Sequence, residues 1–445
     1  MPVPLPLVAS GRTGSDLTVA GQDDGALVRR TVLPGGVRVL TERMPGVRSV
    51  SVGAWVGVGS RDELGDHHGS THFLEHLLFK GTARRTAMDI AVAFDAVGGE
   101  ANAATSHEHT CYYARVLDED LPMAVDVLLD MVAAATIDPE ELESERGVIL
   151  EELAMNEDDP TDLAHERLTE VVLAGHPLGR PIGGTPEAIE RVPRAAVHAH
   201  YREHYVPQGL VVTAAGGVDH DRLCTLVLEA LTVAGWPLDA DAVPLPRRSG
   251  APAPLGPPAP ELVVVRPVEQ VNVLLGCTGL TVGDPRRWTL SVLTAALGGG
   301  MSSRLFQEVR ERRGLAYSTY AFSSSWSDAG LFGLYAGCSP ARTDEVAALL
   351  AQQWEALAAD GLGEEELERG KGQLRGGIVL GMEDSMARMN RLGSAELVRG
   401  EHLSLEEVLA RVGAVDAAGV QALTAELAAR PRTRVQVGPL EDVRG

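Results

Sequence analysis

His72, Glu75 and His76 sit within Ser70-Thr71-His72-Phe73-Leu74-Glu75-His76-Leu77-Leu78-Phe79, a segment whose other residues are mostly apolar. The segment reads as a helix. Residues four apart on a helix project from one face, so both imidazoles point the same way, with Glu75 beside them. Polar groups in such surroundings cost several kcal/mol unless something compensates them. A divalent cation compensates all three, and the order His-x-x-Glu-His is the inverted form of the zinc-hydrolase motif. The chemistry implied is metal-assisted hydrolysis of a peptide.

A bare five-residue pattern is weak, and the chain contains it twice. His200-Tyr201-Arg202-Glu203-His204 also matches, but its flanks are polar and it ends at Val206-Pro207. It reads as an exposed face whose charges water can solvate. His68 precedes His72 by four residues, yet Gly69 and Ser70 intervene and the helix reads as starting with Ser70 or Thr71 as its cap. His67 and His68 then belong to an exposed loop, and a third protein ligand has to come from elsewhere. The acid-rich helix expected over 139–155 is a source. Most of its carboxylates form a solvated face, but Glu145 and Glu152 are seven residues apart and fall within ~20° of each other around a helix. Spacing does not choose between Glu151 and Glu152.

The elements around these groups repeat. Strands are expected near 37–40 and 49–56, a helix over 87–97 ending at Gly98-Gly99, paired strands over 101–104 and 111–116, and helices over 120–135 and 139–155. Residues 1–27 read as a flexible leader and 244–260 as a Pro-rich linker. Beyond the linker, strands near 261–265 and 270–277, a helix over 288–297, a strand near 331–336 and helices over 343–359 and 364–383 follow in the same order, as in an internal duplication. The second copy lacks the chemistry. Leu290 to Ala296 stand where the histidines stand in the first, and aligning Leu142 with Leu367 sets Glu145 and Glu152 opposite Gly370 and Gly377. The expected division is a catalytic domain over 28–243 and a homologous, non-catalytic domain over 261–445.

The 445 residues exceed what one core accommodates, and a formal charge of −23 argues against a general nucleic-acid binder. Cys111, Cys224, Cys277 and Cys338 form no Cys-x-x-Cys pair, so thiolate zinc and a disulfide framework are not expected. The start, Met1-Pro2-Val3-Pro4-Leu5-Pro6-Leu7, lacks a cationic region and is broken by prolines, and no apolar run approaches the ~20 residues of a spanning helix. The expectation is a cytoplasmic protein without a membrane partner.

Three stretches resemble the pitrilysin/insulinase family, especially its branch related to the mitochondrial processing peptidase. They are Gly59 to Thr82, Gly98-Gly99-Glu100-Ala101-Asn102-Ala103-Ala104-Thr105, and Glu145-Arg146-Gly147-Val148-Ile149-Leu150-Glu151-Glu152. The similarity runs from about residue 28 to 435. It implies one Zn2+ per chain on His72, His76 and Glu152, with Glu75 as general base and Glu145 as a supporting acid that orients a histidine or stabilises charge. Asn102 and Ala103 fall on the family's substrate-binding edge strand. Arg310 and Tyr317 match an Arg/Tyr pair, seven apart, that reaches the substrate. With the repeat, the resemblance implies an α+β fold of two homologous layered domains, each an antiparallel-rich sheet packed with helices. It further implies a zinc endopeptidase or oligopeptidase acting on peptides in a dimeric chamber, a homodimer being favoured over a heterodimer with a related chain. A non-catalytic scaffold or partner subunit is the alternative, since the family includes such members.

Overall fold

A computed structural model describes residues 2–19, 27–65, 67–248 and 255–440. Each half of the chain builds a sheet with the same core topology. In the first, Arg38–Arg43 runs parallel to Leu210–Gly216, which is antiparallel to Ser49–Val56, then Thr110–Leu117, then Glu100–Thr105 at the edge. In the second, Glu261–Val265 runs parallel to Thr433–Gly438, followed by Val271–Thr278, Gly330–Cys338 and Ala316–Ser325, again at the edge. The duplication expected from element order is thus repeated in strand order and direction. Leu27–Val32 and Asp16–Val19 extend the first sheet to seven strands among the described residues.

Alternating side chains give each sheet two faces, and both faces are apolar. In the first unit, Val50, Val52, Ala54, Tyr112 and Ala114 pack beneath Phe73, Leu77, Leu128 and Val132 from helices Ser70–Leu78 and Leu121–Ala134. The opposite face presents Leu40, Trp55 and Val211, and it is covered by Met389 and Leu392 of helix Ser385–Ser394. Gly393 lets that helix sit on the indole, because a Cβ there would lie 2.5 Å from the Trp55 ring. In the second unit, Leu163, Leu168 and Val172 of helix Pro160–Val172 cover Leu274, Val435 and Val437.

This packing corrects the expected domain boundaries. Residues 154–180 belong to the second compact unit and residues 380–405 to the first, so neither unit is a continuous half of the chain. The stretch read as a flexible leader also carries structure: Val3–Pro4 pairs with Glu401–His402, and Asp16–Val19 joins the sheet. Residues 20–26 of that stretch, and residues 249–254 of the expected linker, lie outside the described residues.

Buried charge fastens residues 380–405 into the first unit. Glu396, with no exposed side-chain surface, accepts from Arg30 Nε at 2.8 Å and Arg247 Nη2 at 2.7 Å, while Arg388 Nη1 reaches Glu42 at 2.6 Å. Removing one member of such a cluster leaves the others desolvated and unpaired. Glu396→Gln should therefore lower the unfolding free energy by about 3–5 kcal/mol in urea titrations, and a loss below about 1 kcal/mol would show the cluster to be dispensable.

Candidate metal centre

Helix Ser70–Leu78 is held by its start. Its N-cap is Gly69 at φ 90°, not the hydroxyl expected from Ser70 or Thr71. The capping group is distant in sequence: buried Glu63 accepts from the Gly69 and Thr71 N–H groups, each at 2.8 Å. The carboxylate satisfies free donors and lies at the positive end of the helix dipole. A Cβ on Gly69 would meet Gly183 O at 2.5 Å, so the position needs glycine for close approach as well as for its backbone.

Helix Pro139–Asp158 supplies the acids. Leu142, Glu145, Ile149 and Glu152 recur at steps of three and four, which places them in one stripe; the first three are buried. Glu151 falls off the stripe and is exposed, whereas Glu152 is half-buried and faces the histidines. The structure thereby separates two carboxylates that spacing alone left equivalent.

Donor atoms converge at one point. His72 Nε2 and His76 Nε2 are 3.3 Å apart; Glu152 Oε1 lies 3.7 Å from the first and Oε2 3.4 Å from the second. A tetrahedron with metal–ligand bonds of ~2.0–2.1 Å has edges of about 3.3–3.4 Å. The His72–His76 and His76–Glu152 separations match this, the His72–Glu152 separation of 3.7 Å is somewhat longer, and the set is that of a zinc-sized site with one vertex open. These three residues form a group able to hold a metal ion among the described residues. Burial pushes the His72 imidazole below its usual range, and His76 adds to this while Glu152 and Glu75 oppose it. The neutral imidazole is the form that ligates.

Glu145 sits behind His76. Its Oε1 lies 2.8 Å from His76 Nδ1, so a proton held there leaves Nε2 bare toward the donor cluster. Burial alone would raise the Glu145 carboxyl, but Lys80, 2.5 Å away, and His76 together hold it below the usual carboxylate range. Glu75 is half-buried on the same helix, and its Oε2 accepts from the Thr105 hydroxyl. Sequence reasoning missed Lys80, Thr105 and Glu63. Lys80 lies four residues beyond His76, a spacing that could have flagged it.

The remaining candidates fall in two places. Asn102 and Ala103 lie on the edge strand Glu100–Thr105 of the first unit, where Asn102 Oδ1 accepts from Ala103 N–H at 2.8 Å. Arg310 and Tyr317 belong to the second unit, and the structure brings them together: the guanidinium stacks 4.3 Å from the Tyr317 ring centre and donates to Tyr317 O at 2.9 Å. Tyr317 is 75% exposed, at the point where strand Ala316–Ser325 slips register against its neighbour. Such bulges re-aim side chains. His200 and His204 correct another expectation. Rather than forming a solvated face, His200 is half-buried and hydrogen-bonds Thr71 Oγ1 at 3.1 Å; burial, with His204 adding, pushes its imidazole down to about 4. The pair is part of the packing of helix Arg194–His204 against the metal helix, and it is not in the metal-capable group. His68 is half-buried rather than exposed; His67 is exposed, as expected.

The sequence profile described as "Insulinase (Peptidase family M16)" matches residues 38–186, and that described as "Peptidase M16 inactive domain" matches residues 191–374. An uncharacterized zinc protease of Streptomyces coelicolor is 47% identical over 95% of this chain and 92% of its own length. The chain belongs to the insulinase family, peptidase family M16. Another family relative, an uncharacterized zinc protease of Bacillus subtilis, is 37% identical over 90% of this chain and 96% of its own. The fold matches the crystal structure of a protease from Helicobacter pylori with a TM-score of 0.81 at 21% identity, covering 93% and 99% of the two chains. A peptidase M16 inactive domain from Pseudomonas fluorescens matches with the same TM-score at 19% identity, covering 93% and 98%.

Lys80 is the counter-charge to a carboxylate that orients His76. Lys80→Met should weaken divalent-metal binding by about 10- to 100-fold, read by competition with a chromogenic chelator. Unchanged affinity would mean that Glu145 positions His76 without help.

Proposed function

We propose that this insulinase-family chain is a zinc-dependent endopeptidase or oligopeptidase that hydrolyses short or unfolded peptides. The observation that carries the reading is the meeting of His72, His76 and Glu152 donor atoms within 3.3–3.7 Å of one another, close enough to share one metal ion. The names of the relatives as zinc proteases support zinc as the cation. When bound, zinc supplies a Lewis acid that polarises a scissile carbonyl and brings the pKa of water to roughly 7.

The chain's own residues supply the rest. Glu75, one turn-face away from the ligands, takes the proton of the attacking water and delivers it to the leaving amine. Glu145 holds the His76 ring in place through Nδ1, and Lys80 keeps Glu145 ionised. The free edge of Glu100–Thr105 offers main-chain groups to an extended peptide, which adds as a further strand. On that strand, substrate pairing displaces the Asn102 side chain from Ala103 N–H. Arg310 and Tyr317 are assigned to the substrate carbonyl, where a guanidinium and a phenol stabilise developing oxyanion charge.

The chain is read as one half of a dimeric chamber, a homodimer because it carries both the metal set and the Arg/Tyr pair, with a heterodimer as the alternative. The competing reading is a non-catalytic partner subunit. The profile described as an inactive domain covers residues 191–374 and so contains none of His72, Glu75, His76 or Glu152, which favours catalysis.

Glu75→Gln should retain zinc and lose roughly 10²–10⁴-fold in peptide hydrolysis. Retained activity would remove Glu75 as the base, and wild-type protein that neither binds zinc nor cleaves peptides in its presence would establish the scaffold. Mixing Glu75→Gln chains with Arg310→Ala chains should restore activity if the pair acts on a partner's site; no gain on mixing would place it in its own chain's site.

A further inference from the structure

Thr105 is the last residue of the edge strand Glu100–Thr105. Its side chain lies on the half-buried face shared with Ala101 and Ala103, while Glu100, Asn102 and Ala104 are exposed. From that face the Thr105 hydroxyl donates to Oε2 of Glu75, and it is the hydrogen-bond donor to that side chain among the described residues. The strand's own end is fixed. Ser106 N–H donates to His109 O at 2.9 Å, Ser60 N–H to Ser106 O and Arg61 N–H to His107 O, both at 3.1 Å. A Cβ on Gly59 would lie 2.3 Å from Ser106 O, so the loop that leads to Glu63 is packed directly on the turn that follows Thr105.

We propose that Thr105 is a positioning residue that orients the Glu75 carboxylate from the same strand that receives the peptide backbone; this rests on the reading of Glu75 as general base. A carboxylate on a helix can rotate about its terminal torsion, which has only a broad, shallow preference. One donated hydrogen bond to Oε2 fixes that rotation and leaves Oε1 as the oxygen that takes the proton. Ala103, whose N–H faces the free edge, is two residues from Thr105, so the group that receives substrate and the group that aims the base share one short, rigid segment. Misaiming a base by a fraction of an ångström lowers the rate without altering peptide binding.

Three variants test this: Thr105→Val, Thr105→Ser and the double variant Glu75→Gln/Thr105→Val, each measured as zinc-loaded full-length protein with a fluorogenic peptide. A hydrogen bond to a charged group implies a fall in kcat of about 10- to 100-fold for Thr105→Val, with KM and zinc content unchanged. Thr105→Ser, which keeps the donor, should stay within about threefold of wild type. In the Glu75→Gln background, Thr105→Val should cost little further, because the group it aims is already gone. Equal losses in Thr105→Ser and Thr105→Val, a rise in KM alone, or a full additional loss in the double variant would each overturn the proposal. If Thr105→Val does not fold, wild-type-like kcat in Thr105→Ala would overturn it and a kcat loss with Thr105→Ser restored would support it. Failure here with Glu75→Gln inactive refutes only the role of Thr105; an active Glu75→Gln refutes the assignment of the base itself.

Discussion

Two helices carry the three donor groups of the candidate metal centre, and their contact has to bury charge. Where Ser70–Leu78 meets Pro139–Asp158, a stripe that elsewhere would be apolar reads Leu142, Glu145, Ile149, Glu152 against His72 and His76. A buried carboxylate such as Glu145 next to a bare imidazole is tolerable only as part of a compensated set. Lys80 compensates Glu145 directly, Glu145 engages His76, and a cation held between the three donors would answer Glu152 and the two Nε2 atoms together. The rest of the first unit serves this contact. Glu63 and the paired glycines Gly69 and Gly183 fix where the metal helix starts, and the sheet beneath fixes how deep it sits.

The second unit shows what the same architecture looks like without that constraint. Leu367 is buried like Leu142, three residues before the position equivalent to Glu145. That position is Gly370, where a Cβ would stand only 3.2 Å from Ala296 Cβ and 3.4 Å from Val292 O. Helix Glu364–Gly381 therefore lies close against helix Arg287–Gly298, where any side chain would press on its neighbour and no imidazole stands to receive a carboxylate. The duplicated fold has kept its strand order and replaced a charged helix contact with a close apolar one. The edge chemistry has changed as well: the small Ala101, Asn102 and Ala103 of the first edge strand contrast with Tyr317, Tyr320 and Phe322 on the second.

Much of the site was legible because helical geometry is local. The four-residue spacing of His72 and His76 and the seven-residue spacing of Glu145 and Glu152 translate directly into shared faces. Choosing Glu152 over Glu151 required a resemblance, since both carboxylates are chemically alike and only the rotation of the helix against its neighbour separates them. Glu63 was not legible: it acts from a loop through backbone donors, a contact with no sequence periodicity. The polar flanks of His200 suggested solvent, but Thr71 on the neighbouring helix covers it, and a tertiary contact leaves no mark in the local pattern. The reassignment of residues 154–180 and 380–405 between the units has a similar cause. An amphipathic pattern in Pro160–Val172 states that one face must be buried, not which sheet will bury it, while the density of prolines at 244–260 drew the boundary to the linker.

The central claim is a coordination sphere built from two imidazoles of one helix and one carboxylate of another. X-ray absorption at the zinc edge on the reconstituted protein measures it directly. The account predicts one zinc per chain in a shell of light atoms only, with the multiple-scattering signature of two imidazoles that falls to one in His72→Ala. A shell containing sulfur, or a spectrum unchanged by substituting His72, would contradict it.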